Sequence, residues 1–292
     1  MFLRGVEGAA PYNYDFKVLY KSDFEEEFIM IRTEKIGTME YLTADGIGAP
    51  HCFTTRLGGV SEGIFASLNL RYHGGDFPEN VEKNYALLAS ALGFSMENLV
   101  LTRQTHSDIV RAVTKADARG INNRDYPESD ALITNDPGCA IAVFTADCTP
   151  ILLHDPVTGA VGAAHAGWRG TVAKIAAKTA LAMMEAYGCK RSNIRAAIGP
   201  NIAQCCFETD RDVPEAAIAA FGEAAKPHIT QKGDKYYVNL KALNALALRE
   251  VGVENIEISQ ACTYCSHDLY WSHRFTKGQR GSQGAFILRK EE

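Results

Sequence analysis

An apolar strand–turn–strand segment constrains the fold of this chain more than any other feature. Residues 150–154 and 160–164 are apolar runs of strand length, and residues 155–159 between them are turn formers. The pattern predicts an antiparallel hairpin. Residues 139–144, just before it, are almost entirely apolar and predict a strand buried in the centre of a sheet.

Two side chains that bind metals flank this hairpin, Cys148 before it and His165 after it. A thiolate and an imidazole are among the ligands that zinc prefers. If the chain folds back at Pro156 and Val157, Cys148 lies directly opposite His165. Directly opposed residues have Cβ atoms about 4.5–5.5 Å apart. The hairpin therefore predicts two ligands of one metal ion, and a third ligand must come from elsewhere in the chain.

The candidate third ligand is His106, which follows the apolar run of residues 98–102. That run predicts a strand, so His106 is expected where a strand ends. Spacing alone does not rank His106 above the other histidines, because a histidine is more often a structural or surface residue than a ligand. The rivals are His51, His73, His154, His228, His267 and His273.

Composition excludes several classes of protein. The chain has 292 residues, 46% of them hydrophobic, and a formal net charge of −5, which gives no electrostatic basis for binding nucleic acid. No apolar run is long enough to span a membrane, and the amino terminus lacks the pattern of a secretory signal. We therefore expect a cytoplasmic protein with no membrane partner.

Eight cysteines in that compartment are expected to be thiols. Cys262 and Cys265 have the spacing of a redox or metal pair, but the sequence has no second pair with this spacing to complete a four-ligand zinc site. The adjacent Cys205 and Cys206 are interpreted as packing residues.

Strand and helix patterns alternate along the chain. Helices are predicted over residues 79–92, ending at Gly93, and over residues 171–185, ending near Gly188. No linker or composition break divides the sequence. Hairpins beside helical crossovers predict one α/β domain in which a mixed sheet is layered with helices.

Several motifs resemble the YfiH or laccase-domain family. The most specific are Ala-Asp-Cys at 146–148 and His-Ala-Gly-Trp-Arg-Gly at 165–170. The other matching pieces are residues 53–61, 67–70, 104–106, 130–134, 199–208 and 272–274. The resemblance implies a YfiH-like α/β sandwich with its catalytic domain over residues 46–292. Residues 1–45 match weakly and are expected to be part of the same fold.

The family resemblance also implies a metal centre and an activity. It selects His106 as the third ligand beside Cys148 and His165, around one zinc ion that also binds a water; copper is an alternative ion. The implied activity is phosphorolysis of adenosine, inosine and methylthioadenosine, together with adenosine deamination. The partners would be a purine nucleoside and phosphate, and the protein would be a homodimer.

Candidate residues for this chemistry follow from their types and surroundings. Arg56, before a Gly-Gly loop, is the first choice to bind the attacking phosphate, and Arg169, at the start of a helix, is the second. Asn69 and Gln104 are candidate contacts to ribose or base. Asp147, beside the metal ligand, either transfers protons or is an aspartate that holds a turn or orients a histidine.

The sequence departs from the family pattern at two positions. Phe207 stands where the family usually has tyrosine, so no hydroxyl is available there. The arginine expected before the last strand matches Arg280 only after a shift of one or two residues, so Arg280 is left outside the predicted site.

Three other functions fit parts of the pattern. A copper-dependent polyphenol oxidase would use the same ligands, although laccase chemistry needs several coppers and many more histidines. A cysteine hydrolase would use Cys148 as nucleophile beside His165. A binding protein with a structural zinc would need a fourth ligand.

Overall fold

Two six-stranded sheets and a small third sheet organise residues 31–291, the part of the chain that the computed structural model describes. The strands in chain order are β1 Ile31–Ile36, β2 Met39–Ala44, β3 His51–Thr54, β4 Leu99–Val100, β5 Val110–Ala112, β6 Ala131–Thr134, β7 Ala140–Thr145, β8 Thr149–His154, β9 Val161–Ala166, β10 Arg195–Ile198, β11 Glu208–Thr209, β12 Ile229–Lys232, β13 Lys235–Val238, β14 Asn255–Ile258 and β15 Gln283–Leu288. The α-helices are α1 Pro78–Leu92, α2 Trp168–Val172, α3 Ile175–Tyr187, α4 Asp212–Phe221, α5 Leu240–Glu250 and α6 His273–Thr276.

The strand orders are mixed, as the sequence predicts. The first sheet has the order β1-β2-β3-β15-β7-β4, the second β14-β10-β8-β9-β6-β5, and the third β11-β13-β12. Most neighbours are antiparallel, while the pairs β4–β7, β5–β6 and β10–β14 are parallel. The expected mixed α/β class is therefore confirmed.

The two large sheets pack face to face and helices cover them. Val143 of β7 and Leu152 of β8 belong to one buried cluster that joins the sheets. In α1, Tyr85 packs edge-on against Phe144 and Phe286 of the first sheet. Helices α3 and α5 pack against each other, and both contribute to a buried cluster with residues of the second sheet. Apolar residues on both faces of the central strands make these layers necessary.

The helix predicted over residues 171–185 is interrupted. Helix α2 ends at Val172, and Lys174 adopts a left-handed backbone with φ of +59° before α3 begins. The Lys174 ammonium group is 2.6 Å from the Glu250 carboxylate and lies over the Phe221 ring. Through these contacts, Lys174 at the break between α2 and α3 binds α4 and α5. Residues 172–175 include no glycine or proline that would indicate the break in the sequence. The predicted end at Gly188 is confirmed, since Gly188 has φ of +66°.

The hairpin exists, but its predicted register is wrong by two residues. His165 pairs with Pro150, so Cys148 is a diagonal neighbour of His165. The turn is centred on Val157 and Thr158, because Asp155 Oδ1 accepts the amide hydrogens of both residues. A shift of one residue would have turned Cys148 to the opposite face, whereas a shift of two keeps it on the face of His165.

The described part of the amino-terminal segment belongs to the first sheet. Strand β2 pairs with both β1 and β3. The apolar pattern of residues 28–32 predicts a strand, but most of these residues lie outside the described part of the chain, and β1 runs from Ile31 to Ile36. Within residues 31–291 no helix has the length and apolar character needed to cross a membrane.

Candidate metal centre and its cavity

The structure brings His106, Cys148 and His165 together. One potential ligand atom from each residue lies within 4.8 Å of the other two. Cys148 Sγ is 3.8 Å from His106 Nε2, and the two imidazole rings meet edge-on with centroids 5.0 Å apart. The fold therefore selects His106 from the histidines that spacing alone could not rank.

The three candidate ligands come from two strand ends and a loop. Cys148 immediately precedes β8 and His165 lies near the end of β9, while His106 lies in the loop between β4 and β5. His106 and Asp147 both have left-handed backbones, with φ of +59° and +88°. Such a conformation is costly for residues other than glycine, so the surrounding contacts must hold it.

A buried carboxylate, Asp130, organises both histidines. His165 Nδ1 is 2.7 Å from Asp130 Oδ1, which leaves His165 Nε2 as its ligand atom. The same carboxylate accepts the amide hydrogens of Thr105, His106 and Ser107 at 2.8–3.1 Å. A carboxylate behind a ligating histidine fixes the tautomer and the ring orientation. Sequence reasoning placed Asp130 only within a family motif and did not identify this role.

Electrostatics in this cluster favours the ionised forms of Asp130 and Cys148. Burial opposes ionisation of Asp130, but hydrogen bonds from His165, Ser107 and Thr105 outweigh it and lower its pKa to about 2. Burial also disfavours the Cys148 thiolate, but the charge of His165 and hydrogen bonds from both histidines lower the Cys148 pKa to about 6. The thiolate is the metal-binding form of cysteine.

Gly167 leaves room for the ligands. A Cβ at this position would lie 2.7 Å from His106 Cδ2 and 3.3 Å from Cys148 Sγ. The backbone of Gly167 is extended and accessible to any residue, so the need for glycine here is the space beside the ligands. Two imidazoles and one thiolate, with this space kept beside them, fit a zinc ion that retains one open position.

The three ligands line a cavity of about 360 Å³. This volume lies within the range of small-molecule sites. Leu101, Tyr85, Tyr126 and Phe144 form an apolar and aromatic part of the wall. Polar and charged residues complete it, among them Arg71, His73, Thr102, Gln104, Asn123, Thr145, Arg280 and Ser282. The ligand cluster thus opens onto a space that can hold an organic substrate.

Gln104 is the predicted substrate residue that does line this cavity. Its Nε2 donates to the Phe144 carbonyl and its Oε1 accepts from the Phe144 amide, both at 2.7 Å. Thr102 donates a further bond to Oε1. The amide of Gln104 is thereby engaged in joining the His106 loop to β7.

The two predicted phosphate-binding arginines lie in other surroundings. Arg56 donates to the carbonyl oxygens of Ala66 and His267, and its guanidinium carbon is 4.0 Å from the centre of a Trp271 ring. Arg169 is exposed on α2 and stacks on its neighbour Trp168 at 4.3 Å. The structure does not bring either guanidinium to the lining of the described cavity.

Asn69 and Asp147 hold backbone segments in place. Asn69 is fully buried, and its Oδ1 accepts the amide hydrogens of Arg71 and Ser282, which belong to two segments of the cavity wall. Asp147 Oδ1 accepts from the Thr263 hydroxyl at 2.6 Å, and Oδ2 accepts from the Arg274 amide at 2.7 Å. Both carboxylate oxygens of Asp147 are therefore bound within the protein.

Arg280, which the sequence analysis left outside the site, lines the cavity beside the metal ligands. Its Nη1 donates to the Gly281 carbonyl and to the Ser282 hydroxyl at 2.9 and 2.7 Å. Its Nε is buried and has no hydrogen-bond partner among the described residues. A cationic donor that is buried and unpaired beside a cavity is suited to an anionic ligand. Allowing the shifted match to the family pattern would have identified it.

This arrangement defines an α/β sandwich with a candidate metal site in its cavity, and sequence comparison agrees with this fold. The chain belongs to the family described as multi-copper polyphenol oxidoreductase laccase, whose model matches residues 50–290. It is 38% identical over 252 residues to purine nucleoside phosphorylase YlmD of Geobacillus stearothermophilus, covering 84% of this chain and 92% of that protein. It is 35% identical over 240 residues to purine nucleoside phosphorylase YfiH of Escherichia coli, covering 82% and 93%.

Solved structures show the same fold. The crystal structure of YlmD from Geobacillus stearothermophilus matches with a TM-score of 0.84 and 35% identity, covering 90% of this chain and all of that chain. The YfiH structure from Bacillus licheniformis matches with a TM-score of 0.81 and 33% identity, covering 88% and 98%. The resemblance to the YfiH family is confirmed. The family description names an oxidase, whereas the curated relatives are named phosphorylases.

Proposed function

We propose that this protein is a zinc-dependent purine nucleoside phosphorylase that also deaminates adenosine. Its substrates would be adenosine, inosine and methylthioadenosine, with phosphate as the second substrate. One observation carries the proposal: a His and Cys cluster of three candidate ligands shares a cavity with Arg280. The names of the curated relatives support the same activity.

His106, Cys148 and His165 would hold the metal ion. With three protein ligands, a bound zinc keeps one position for water and lowers the pKa of that water to about 7. Asp130 would hold the His165 ring so that Nε2 faces the ion. The same donors accept copper, but neither phosphorolysis nor deamination transfers electrons to a metal, so we assign zinc.

Arg280 is the residue that we assign to phosphate. In phosphorolysis a phosphate oxygen forms a bond to C1′ of the ribose, and the bond from C1′ to the purine nitrogen breaks. The electron pair of that bond leaves with the base, which takes up a proton. Arg280 would bind the phosphate through its guanidinium group. Arg56 and Arg169 stay predictions, but their surroundings favour structural roles.

The aromatic part of the cavity is suited to a purine base. Phe144, Tyr85, Tyr126 and Leu101 line the cavity. A planar base buries its faces favourably against such side chains. Gln104, by bonding both main-chain groups of Phe144, would fix this wall and the His106 loop together.

Adenosine deamination would use the same cavity. Water adds to the amino-bearing carbon of the ring, and the amino group leaves as ammonia after it takes up a proton. The contacts of Asp147 favour the predicted turn role over proton transfer, because Thr263 and Arg274 occupy its oxygens. We assign Asp147 the role of holding the turn that precedes Cys148.

The direct test is an assay on inosine and adenosine with and without phosphate. We expect free base and ribose 1-phosphate only when phosphate is present, and ammonia from adenosine in either case. Loss of one charged hydrogen bond costs about 1.5–3 kcal/mol, so Arg280→Met should raise the KM for phosphate by about 10- to 100-fold. Arg103→Met, at an exposed ion pair with Glu128, is the control. Release of base without phosphate would contradict the proposal.

A second candidate is a cysteine hydrolase, which the low pKa of Cys148 and the nearby His106 Nε2 favour. Metal removal separates the two functions. A phosphorylase that depends on zinc loses activity with a chelator and recovers it with zinc, whereas a Cys148 nucleophile would be released for reaction. Oxidation of phenols by the copper-loaded protein would instead support the polyphenol oxidase.

A further inference from the structure

The structure contains a second group of metal-ligand residues, formed by Cys205, Cys206, Cys262 and Cys265. Their four sulfur atoms all lie within 4.8 Å of one another. Cys265 Sγ is 3.3 Å from Cys206 Sγ and 3.8 Å from Cys205 Sγ. The sequence-based interpretation of Cys205 and Cys206 as packing residues missed this group. The second pair of cysteines is Cys205 and Cys206. These residues are adjacent in the sequence, and adjacent cysteines do not have the spacing that indicates a metal site.

We propose that these four cysteines, which we call the four-cysteine cluster, bind a structural zinc ion. Zinc–sulfur bonds of about 2.3 Å in a tetrahedron place the sulfurs about 3.8 Å apart. The separation between Cys265 and Cys205 is 3.8 Å, that between Cys265 and Cys206 is 3.3 Å, and all four sulfurs lie within 4.8 Å of one another. Four thiolates fill the tetrahedral shell, so this site is closed, unlike the three-ligand centre.

The backbone around the cluster is built to hold the sulfurs. Two turns meet here, and Asn201 and Cys262 form a parallel bridge between them. The Thr263 amide donates to the Asn201 carbonyl at 2.9 Å, and the Ala203 amide donates to Cys262 Sγ at 3.3 Å. An amide hydrogen directed at sulfur stabilises a thiolate ligand.

Charge near the cluster is also suitable. Zinc with four thiolates carries two excess negative charges. Lys241 is 5% exposed, and its ammonium group donates to the carbonyl oxygens of Ser259 and Ala261, directly before Cys262 in the chain. A buried cation at this place offsets part of the negative charge of the site.

The cluster connects to the three-ligand centre through Asp147. The hydroxyl of Thr263, which lies between Cys262 and Cys265, donates to the Asp147 carboxylate, and the Ile202 amide donates to the Asp147 carbonyl at 2.9 Å. Both turns that meet at the cluster therefore hold Asp147 in its left-handed backbone, one residue before Cys148. Zinc at the four-cysteine cluster would fasten the turns that position a ligand of the other centre.

The test counts metal and thiols in the full-length protein, so it is independent of any activity assay. We expect about two zinc ions per chain in the wild type, and about one both in the double variant Cys205→Ser/Cys265→Ser and in His106→Ala. Cys205 and Cys265 are exposed, so serine there should not prevent folding. Cys189→Ser changes a cysteine outside both sites and is the matched control.

Cobalt replacement and thiol titration give further readouts. Cobalt bound by four thiolates has a stronger sulfur-to-metal charge-transfer band than cobalt bound by one, and the double variant should lose most of that band. The wild-type Tm should rise with added zinc, and that of the double variant should rise less.

Unchanged zinc content in the double variant would overturn the proposal. So would a titration of the denatured wild type that finds two thiols fewer than the eight in the sequence, because Cys206 and Cys265 would then form a disulfide. Failure of the phosphorolysis assay would leave this result intact, so the two proposals are tested separately.

Discussion

The two ends of the β8–β9 hairpin carry histidines in opposite environments. At the open end, His165 faces the Asp130 carboxylate and the Cys148 thiol. At the turn end, His154 Nδ1 accepts the Gly48 amide at 3.2 Å. Both histidines are buried in the same pair of strands, at 3% and 7% exposure, so burial does not distinguish a candidate ligand from a structural residue.

Charge distinguishes the two ends. Burial disfavours the charged form of His165, but the Cys148 thiolate and Asp130 outweigh it and raise its pKa to about 9. Burial and the nearby Arg195 lower the pKa of His154 to about 4. A histidine backed by a carboxylate is oriented for a metal, whereas His154 acts as a neutral acceptor for a loop amide.

The largest expected difference is between His165→Gln and His154→Gln. Losing a ligand should remove the metal ion and reduce phosphorolysis by about 10³-fold or more, because metal catalysis supplies several kcal/mol. His154→Gln should change kcat/KM by less than about twofold, because an amide oxygen can accept from Gly48. Metal analysis and kinetics of the two variants check this. Equal losses of metal and of activity in the two variants would contradict the assignment of His165 as a ligand and His154 as a structural residue.

Asp130→Asn tests whether the carboxylate is what makes the open end a metal site. The asparagine NH2 group would meet the amide hydrogens that Asp130 now accepts, and His165 would lose its anionic partner. We expect zinc affinity to fall by about 10- to 100-fold, measured by competition with a chelator. Asp136→Asn, where the carboxylate also accepts a main-chain amide, is the control and should keep wild-type affinity.

The turn end should impose a pH dependence on stability. The pKa of His154 is about 4 in the folded protein, below its ordinary value of about 6.5. Neutral, buried His154 therefore stabilises the folded protein fully above pH 6.5. As the pH falls from 6.5 towards 4, the unfolded chain takes up a proton first, and the free energy of unfolding falls by about 2 kcal/mol. Denaturant unfolding across this range measures it. His154→Gln should show a flatter profile, and an unchanged slope would assign the dependence to other groups.

The smallest expected effect is that of Gly167→Ala. The added methyl group would crowd His106 and Cys148, while the extended backbone accommodates alanine. We expect about a tenfold loss of zinc affinity with little change in Tm. Gly170→Ala, in the helix that follows Gly167, is the control, because its nearest contacts would be 3.4 Å away. Similar affinities for both variants would show that the ligands move aside freely.

The fold class and part of the metal centre could be read from local patterns. The apolar runs around the turn predict β8 and β9, and side chains alternate between faces with a period of two residues. The register prediction was wrong by an even number, so Cys148 and His165 still lie on one face. The Asp155 side-chain bonds that centre the turn depend on rotamers that the pattern does not contain.

Long-range contacts explain what the sequence left undecided. Arg280 reaches the cavity because β15, which follows it, pairs with β7, and Asn69 holds the segment between them. Cys205 and Cys206 meet Cys262 and Cys265 because β10 and β14 are parallel neighbours whose carboxyl ends lead into the two turns. The positions of these residues along the sequence do not predict that they lie close together in the fold.

Local sequence patterns are sufficient to predict most of the elements, the mixed α/β class and the placement of one cysteine and one histidine on the same face of a hairpin. These depend on alternation, turn residues and apolar runs, which act over a few positions. Packing over long sequence distances brings His106 to them, places Asp130 behind His165 and puts Arg280 in the wall of the same cavity. Those placements depend on which strands become neighbours, and strand pairing is set by burial across the whole chain.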